Sequence, residues 1–281
     1  MADSSSTERH SVTLAHGALS FLEAGAGSPL VLLHGVGSAA QSWRAQLAAL
    51  GAQHRVIAWD APGYRDSAPL APKAPRADDY AQALVELLDA LGVGRVHLVG
   101  HSLGALIAGR FARLHPERLL SLTLASCALG HAPLPADERT RLLMSRLDDL
   151  RDLGARAMAE KRGPRLLGPD AAPEHVRAVV DTMAGVHPHG YGQAARMLSG
   201  GDLIADIRAL PAAMPVQFVW GSADVITPPA ANERAADARP GAARHVLEGA
   251  GHACYVEQAD AFNDVLARFT RAHEQAGGER T

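Results

Sequence analysis

The chain has 281 residues, with 27 Lys plus Arg, 30 Asp plus Glu and a formal net charge of −3, so nothing in its charge favours a polyanionic partner. Its two cysteines, Cys127 and Cys254, are too few for a disulfide framework or a thiolate metal cluster. The N-terminal segment lacks the apolar stretch of a signal peptide, and the longest aliphatic run, 30–33, is far shorter than a bilayer span. We therefore expect a cytoplasmic protein that binds neither nucleic acid nor membrane.

Short apolar segments of strand length alternate with segments of helical period along most of the chain. The predicted strands occupy residues 12–15, 19–23, 30–33, 55–59, 96–99, 119–125, 216–220 and 244–247. The interior strands are apolar on both alternating faces, as strands covered by helices on both sides must be. This pattern predicts an α/β fold with an eight-stranded, mostly parallel sheet and helices on both faces.

The alternation stops between residues 130 and 211, where the sequence has helical period and no comparable strand signal. Prolines at positions 164, 169, 173 and 188 divide this segment into short helices. We predict that residues 130–211 form a helical cap. Residues 1–129 and 212–281 are then expected to form one core domain.

A Gly-x-Ser-x-Gly motif, Gly100-His101-Ser102-Leu103-Gly104, lies between the fifth predicted strand and a helix. A serine hydroxyl attacks a substrate only when a base takes its proton, so the side chain must be held within reach of one. A sharp strand-to-helix turn achieves this, and it tolerates only small residues at positions 100 and 104. The motif therefore predicts Ser102 as a nucleophile.

With these flanks the chain resembles the α/β-hydrolase family over residues 12–269. In that family an acid follows a late strand and a histidine follows the last strand. Asp224 follows the strand VQFVW and His252 follows the strand RHVLE. The resemblance implies a catalytic triad of Ser102, Asp224 and His252.

The triad residues have distinct expected roles. His252 accepts the Ser102 proton and passes it to the leaving group, while Asp224 fixes the imidazole tautomer. Asp224 could instead be a helix cap, but the following Thr227-Pro228-Pro229 is typical of an N-cap and a proline helix start. We therefore assign the cap role to Thr227 and the catalytic role to Asp224.

A second loop follows the third predicted strand, where the family builds half of its oxyanion hole. By position, the two backbone donors are Leu103 and Val36, with Gly37 as the alternative to Val36. We expect His34 to support this loop through backbone hydrogen bonds. A further loop carries Asp60, which we interpret as structural, and Arg65, which occupies a position where relatives usually have glycine.

The resemblance implies a cofactor-independent serine hydrolase of small carboxylic esters or lactones, similar to 3-oxoadipate enol-lactonases. Those relatives act on a carboxylate-bearing lactone, so one cap arginine should face inward. The sequence leaves the choice open among Arg141, Arg146, Arg162 and Arg196, and it leaves other substrate-binding residues and the oligomeric state undetermined. No metal site is predicted, because His187 and His189 lack a third ligand.

Two other functions stay open at this point. The meta-cleavage carbon–carbon hydrolases, which act on vinylogous diketo acids, share the triad order, but they commonly have Asn at position 101 and Trp at position 253. This chain has His101 and Ala253. A binding or receptor protein could also retain the triad without turnover. Comparing the rates of ester hydrolysis by the wild-type protein and by a Ser102→Ala variant would distinguish a receptor from an enzyme.

Overall fold

The computed structural model describes residues 8–274. Eight strands form one sheet in the order β1-β2-β4-β3-β5-β6-β7-β8. The strands are β1 (Arg9–Leu14), β2 (Gly17–Ala24), β3 (Ser28–Leu33), β4 (His54–Trp59), β5 (Val96–His101), β6 (Leu119–Ala125), β7 (Val216–Gly221) and β8 (Ala243–Leu247). Strand β2 runs antiparallel to β1 and β4, and every other pairing is parallel. The predicted eight-stranded, mostly parallel sheet is confirmed.

Ten α-helices flank the strands within this described part of the chain. They are α1 (Arg44–Leu50), α2 (Ala77–Ala90), α3 (Leu103–Leu114), α4 (Ala136–Arg162), α5 (Pro173–Met183), α6 (Pro188–Gly200), α7 (Leu203–Arg208), α8 (Pro229–Asp237), α9 (Cys254–Glu257) and α10 (Ala259–Ala272). Short 3-10 helices occupy Ala40–Trp43, Pro116–Arg118 and Gly163–Leu166. None of the helices in residues 8–274 combines the length and the apolar character needed to cross a bilayer.

The sheet separates two apolar cores, because its interior strands direct buried side chains to both faces. One core contains Leu84 of α2 and Phe111 of α3, and the other contains Leu47 of α1 with Phe262 and Leu266 of α10. All of these side chains are buried. Strands β5 and β7 are buried at every position, as the continuous apolar runs predicted. This packing fixes the carboxyl ends of the parallel strands, where the candidate site lies.

Between β6 and β7 the described chain is helical, from α4 through α7, as the sequence predicted. Pro173 and Pro188 are the first residues of α5 and α6, which agrees with the role of proline at a helix start. Gly154 interrupts α4 with φ 74°. The boundaries that divide residues 1–129 and 212–281 from residues 130–211 remain a prediction, and we call residues 130–211 the helical insertion.

Candidate active site

Ser102 occupies the turn between β5 and α3 with φ 55° and ψ −115°, a left-handed conformation that non-glycine residues rarely adopt. Neighbouring glycines permit this turn. A Cβ added at Gly104 would lie 2.2 Å from the carbonyl oxygen of Leu33, and one added at Gly100 would lie 2.3 Å from the carbonyl oxygen of Gly104. The predicted requirement for small residues at these two positions is confirmed.

Asp224 and His252 meet at the carboxyl ends of β7 and β8. His252 Nδ1 lies 2.8 Å from Asp224 Oδ2, and both side chains are buried. The backbone amides of Ile226 and Thr227 each donate to Asp224 Oδ1 at 2.8 Å. Burial alone would raise the pKa of the Asp224 carboxyl, but the hydrogen bonds from His252 and Thr227 outweigh burial and hold that pKa below its usual value. An ionised Asp224 accepts a hydrogen bond from the Nδ1–H of His252 and leaves Nε2 of that ring free to act as a base.

Thr227 has a different structural role from the one that the sequence predicted. Pro228 occupies the N-cap position of α8 and no side chain caps the helix there, so the assignment of Thr227 as the helix cap is wrong. Its hydroxyl instead donates to Asp224 Oδ2 at 2.8 Å and lies 3.1 Å from His252 Nδ1. Thr227 is a site residue that sequence analysis missed, and its spacing three residues after Asp224 was the only available signal.

Ser102 and His252 line the same cavities but are not hydrogen-bonded to each other in the described residues. A Cβ added at Gly35 would lie 3.3 Å from Ser102 Oγ, so the hydroxyl faces the loop that follows β3. Proton transfer to His252 therefore requires the two side chains to approach each other. Such loose contacts are common in active sites without substrate and tighten when substrate binds.

The two predicted oxyanion donors lie beside Ser102. Leu103 is the first residue of α3, so its amide lacks an intrahelical acceptor. In residues 8–274 the amides of Leu103 and Val36 donate to no protein atom, whereas the Gly37 amide donates to the Tyr64 hydroxyl at 3.5 Å. Val36 also lines both cavities next to Ser102. The free amides favour Val36 over Gly37 as the second donor.

Two buried histidines hold the loops around Ser102. His34 Nδ1 donates to the Gly35 carbonyl at 2.9 Å and its Nε2 accepts from the Ala61 amide at 3.0 Å, which confirms its predicted support of the loop. Burial lowers the pKa of His34 to about 4. His101 Nε2 donates to the carbonyl oxygen of His252 at 2.8 Å, and burial lowers the pKa of His101 to about 3. Both rings are therefore neutral at physiological pH.

Two cavities open from the Ser102 side chain. The first has a volume of about 480 Å³ and is lined by Val179 and Thr182 of α5 and by Tyr255 of α9. The second has a volume of about 270 Å³ and extends toward Arg146 of α4. The helical insertion therefore contributes walls to both cavities. A substrate whose scissile bond lies at Ser102 can place one group in each cavity.

The four arginines left open by the sequence differ in their surroundings. Arg146 and Arg162 line the second cavity, but Arg162 Nε donates to Asp149 Oδ2 at 2.7 Å. Arg141 is largely exposed, and Arg196 lies outside the lining of both cavities.

Arg146 combines an inward position with an unpaired charge. It is half-buried, and no carboxylate of residues 8–274 lies within salt-bridge distance of it. Burial lowers the pKa of His131 in the same cavity, and the positive charge of Arg146 lowers it further. Arg165 also lines this cavity and was not among the predicted residues, although its side chain is exposed.

The loop after β4 has the structural role that the sequence predicted. Asp60 is fully buried and accepts hydrogen bonds from the Ser20 hydroxyl at 2.8 Å and the Ala40 amide at 2.9 Å. Arg65 adopts φ 50°, so it retains the backbone conformation that favours glycine. Its Nη2 donates to the Thr182 carbonyl at 2.8 Å, and this bond joins the loop to the end of α5.

The two cysteines and the histidine pair at the start of α6 do not form a second site. Burial raises the pKa of the Cys254 thiol to about 12 and also raises that of Cys127, so neither is activated as a nucleophile. His187 and His189 are both exposed at the start of α6. Across residues 8–274 no group of three or more His, Cys, Asp or Glu side chains has an arrangement that could hold a metal ion.

Comparisons with known proteins give the family. A model of the alpha/beta hydrolase family matches residues 30–265. The 2-hydroxy-6-oxononadienedioate/2-hydroxy-6-oxononatrienedioate hydrolase 2 of Pseudomonas putida is 31% identical over 260 residues, which cover 85% of this chain and 86% of that protein. A thermophilic esterase from Thermogutta terrifontis has a TM-score of 0.85 at 26% identity and covers 95% of this chain and 99% of its own. The enol-lactonase from Burkholderia xenovorans LB400 has a TM-score of 0.83 at 24% identity, and the match covers 93% of this chain and 100% of the enol-lactonase chain. The chain belongs to the alpha/beta hydrolase family and is a hydrolase.

Proposed function

We propose that the chain hydrolyses small carboxylic esters or lactones through an acyl-enzyme on Ser102. The observation that carries this proposal is the buried hydrogen bond of 2.8 Å between Asp224 and His252, beside a cavity that Ser102 also lines from a strained turn. Such a strained backbone at the end of a buried strand projects the hydroxyl toward a substrate. No cofactor takes part in the proposed chemistry.

The proposed reaction has two stages. Ser102 Oγ attacks the substrate carbonyl carbon while His252 Nε2 takes its proton, and the Val36 and Leu103 amides donate to the resulting oxyanion. The tetrahedral intermediate collapses to the acyl-enzyme as His252 returns the proton to the leaving alcohol oxygen. Water then attacks the acyl carbon, His252 accepts its proton, and the second collapse returns that proton to Ser102. Asp224 keeps the Nδ1 tautomer fixed throughout.

Residues 130–211 serve in this proposal as a cap over Ser102. The side chains of α5 and α4 line the two cavities and would exclude water from the acyl-enzyme. The unpaired Arg146 favours a substrate that carries an anionic group on the side of the second cavity, because a carboxylate there would gain a charge-assisted hydrogen bond.

A comparison of wild-type protein with Ser102→Ala tests the proposed chemistry. With p-nitrophenyl acetate and butyrate, Ser102→Ala should lose on the order of 10⁶ in kcat, because serine and histidine act as a unit. Ser145→Ala is a matched control, since Ser145 is exposed on the insertion. Equal, near-blank rates for wild type and Ser102→Ala would reject ester hydrolysis through an acyl-enzyme on Ser102.

A second candidate function is hydrolysis of a carbon–carbon bond in vinylogous diketo acids. It is favoured by the 31% identity to the 2-hydroxy-6-oxononadienedioate/2-hydroxy-6-oxononatrienedioate hydrolase 2 of Pseudomonas putida. A screen of short esters, lactones and such diketo acids separates the two functions. Turnover of the diketo acids with kcat/KM well above that of every ester would favour the second one.

The role of Arg146 has its own test. Arg146→Gln should raise KM about 10- to 100-fold for esters that carry a free carboxylate and leave KM for the corresponding methyl esters unchanged, because a bond to a charged group contributes about 1.5–3 kcal/mol. Arg141→Gln is the matched control on the exposed face of α4. An equal change in KM for charged and neutral esters would contradict the assignment.

A further inference from the structure

The backbone amides on either side of His252 donate hydrogen bonds to residues outside the loop that carries His252. The Gly251 amide donates to Glu257 Oε1 at 2.8 Å, and the Ala253 amide donates to the Leu166 carbonyl at 2.7 Å. Leu166 belongs to the helical insertion, whereas the loop of His252 follows the last strand of the sheet. The position of the imidazole therefore depends on contacts with a separate part of the chain.

Glu257 completes a second connection to the same segment. While Oε1 accepts from Gly251, Oε2 accepts from the Gly168 amide at 2.7 Å, so one carboxylate joins the histidine loop to the insertion. The side chain is half-buried, and burial raises the pKa of Glu257 while the two amides oppose this effect. Glu257 lines neither of the two cavities, so it has no direct contact with a substrate at Ser102.

The two backbones also approach each other very closely. A Cβ added at Gly251 would lie 2.4 Å from the carbonyl carbon of Leu167, and one added at Gly168 would lie 2.3 Å from the carbonyl oxygen of Gly249. Real Cβ atoms do not make such short contacts, so any larger residue at these positions would separate the segments. We call Leu166, Gly168, Gly251, Ala253 and Glu257 the histidine clamp.

We propose that Glu257 is a positioning residue for His252, and that the histidine clamp couples the catalytic imidazole to the helical insertion. This inference rests on the proposed function of His252 as the general base. A shift of about 1 Å in a catalytic group can lower the rate about 100-fold, so the clamp acts on kcat. Because Glu257 does not touch the substrate, its loss should leave KM unchanged.

The first test replaces Glu257 with glutamine. The amide has nearly the same shape but a single acceptor oxygen, so it can satisfy only one of the two backbone amides that the carboxylate binds. Glu257→Gln should lower kcat about 10- to 100-fold with KM within about twofold of wild type, and Glu257→Ala should lower kcat further. Glu248→Gln is the matched control, because Glu248 is exposed in the neighbouring turn.

The second test approaches the clamp from the insertion and leaves Glu257 intact. Gly168→Ala should also lower kcat, because its Cβ would displace the segment from the histidine loop. The same segment carries Leu166, which lines both cavities, so a constant KM is expected only for Glu257→Gln. Gly200→Ala is the matched control, since a Cβ at Gly200 meets no atom within 4 Å. If Glu257→Gln failed to fold, as judged by circular dichroism, the kcat of Gly168→Ala relative to Gly200→Ala would decide the question alone.

The possible outcomes separate this inference from the proposed function. Loss of kcat in both Glu257→Gln and Gly168→Ala, with KM constant in Glu257→Gln and with unchanged controls, supports the clamp. Wild-type kcat in both variants, or a rise in KM without loss of kcat, overturns it. If Ser102→Ala retains wild-type activity, the proposed function itself fails, whatever the clamp variants show.

Discussion

Acidification should destabilise this protein more strongly than its near-neutral charge suggests, because three of its histidines are buried in neutral form. His34, His97 and His101 are each no more than 3% exposed. Burial lowers the pKa of His34 and His97 to about 4 and that of His101 to about 3. The ordinary histidine pKa in an unfolded chain is about 6.5.

The direction of the effect follows from proton binding in the two states. Between the lowered values and about pH 6.5, the unfolded chain binds a proton at each of these histidines and the folded protein does not. The stability is therefore fully present above that pH and is lost as the pH falls. From pH 7 to pH 5 each histidine removes about 2 kcal/mol of unfolding free energy, so the three together remove about 6 kcal/mol. Typical domains have only about 5–15 kcal/mol in total.

Other groups modify this value without reversing it. Burial also lowers the pKa of His131 and His245, which adds to the loss. Burial raises the pKa of Asp206 and Glu257, and a raised carboxyl pKa favours the folded state as the pH falls. The expected net change remains a loss of several kcal/mol.

Urea unfolding at pH 7 and pH 5, followed by tryptophan fluorescence and linear extrapolation, measures the loss directly. His97→Gln should reduce the difference between the two pH values by about 2 kcal/mol, because glutamine does not titrate. His97 is the second residue of β5, at the opposite end of this strand from Ser102. Its Nδ1 is hydrogen-bonded to the Ser121 hydroxyl. Exposed His189→Gln is the matched control. A wild-type loss below about 1 kcal/mol, or an unchanged difference in His97→Gln, would refute the reasoning.

Two further predictions concern the site directly. Gly104→Ala should cost more than about 3 kcal/mol of stability in urea unfolding, because its Cβ would meet the Leu33 carbonyl oxygen at 2.2 Å, whereas Gly94→Ala, in open space, should cost little. Similar stabilities of these two variants would contradict the close approach. Thr227→Val should lower kcat about 10- to 100-fold, because Asp224 loses a hydroxyl donor, and Thr227→Ser should restore it. A fully active Thr227→Val would exclude any role for this hydroxyl in catalysis.

Most of the fold could be predicted from local patterns. Apolar strand-length runs identified all eight strands, and observed ends differ from the predicted ends by at most three residues. Burial on both faces leaves a strong signature in such strands, since every position must be apolar. The turn at Ser102 was predictable for a similar reason, because a strained elbow restricts the residues at Gly100 and Gly104 to the smallest side chain.

Side-chain contacts that form only when loops and segments fold together could not be predicted in this way. Thr227 has the local sequence of a helix cap, yet its hydroxyl bonds Asp224 once the loop folds back on itself. Glu257 lies 89 positions from Gly168, and no spacing in the sequence relates the two. The choice of Arg146 among four arginines depended on which neighbours already bind carboxylates, which is a property of side-chain packing.

Arg65 shows how such long-range contacts can outweigh a local preference. A non-glycine residue in the left-handed region costs of order 1 kcal/mol, and glycine at this position would avoid that cost. Glycine, however, has no side chain to bind the Thr182 carbonyl, which lies in the last turn of α5 and also accepts the Gly185 amide at 3.2 Å. Thr182 lines the first cavity, so the Arg65 bond and the histidine clamp attach the insertion to the strand-bearing part of the chain at two separate places around Ser102. The geometry at Ser102 is therefore a joint property of both parts of the chain.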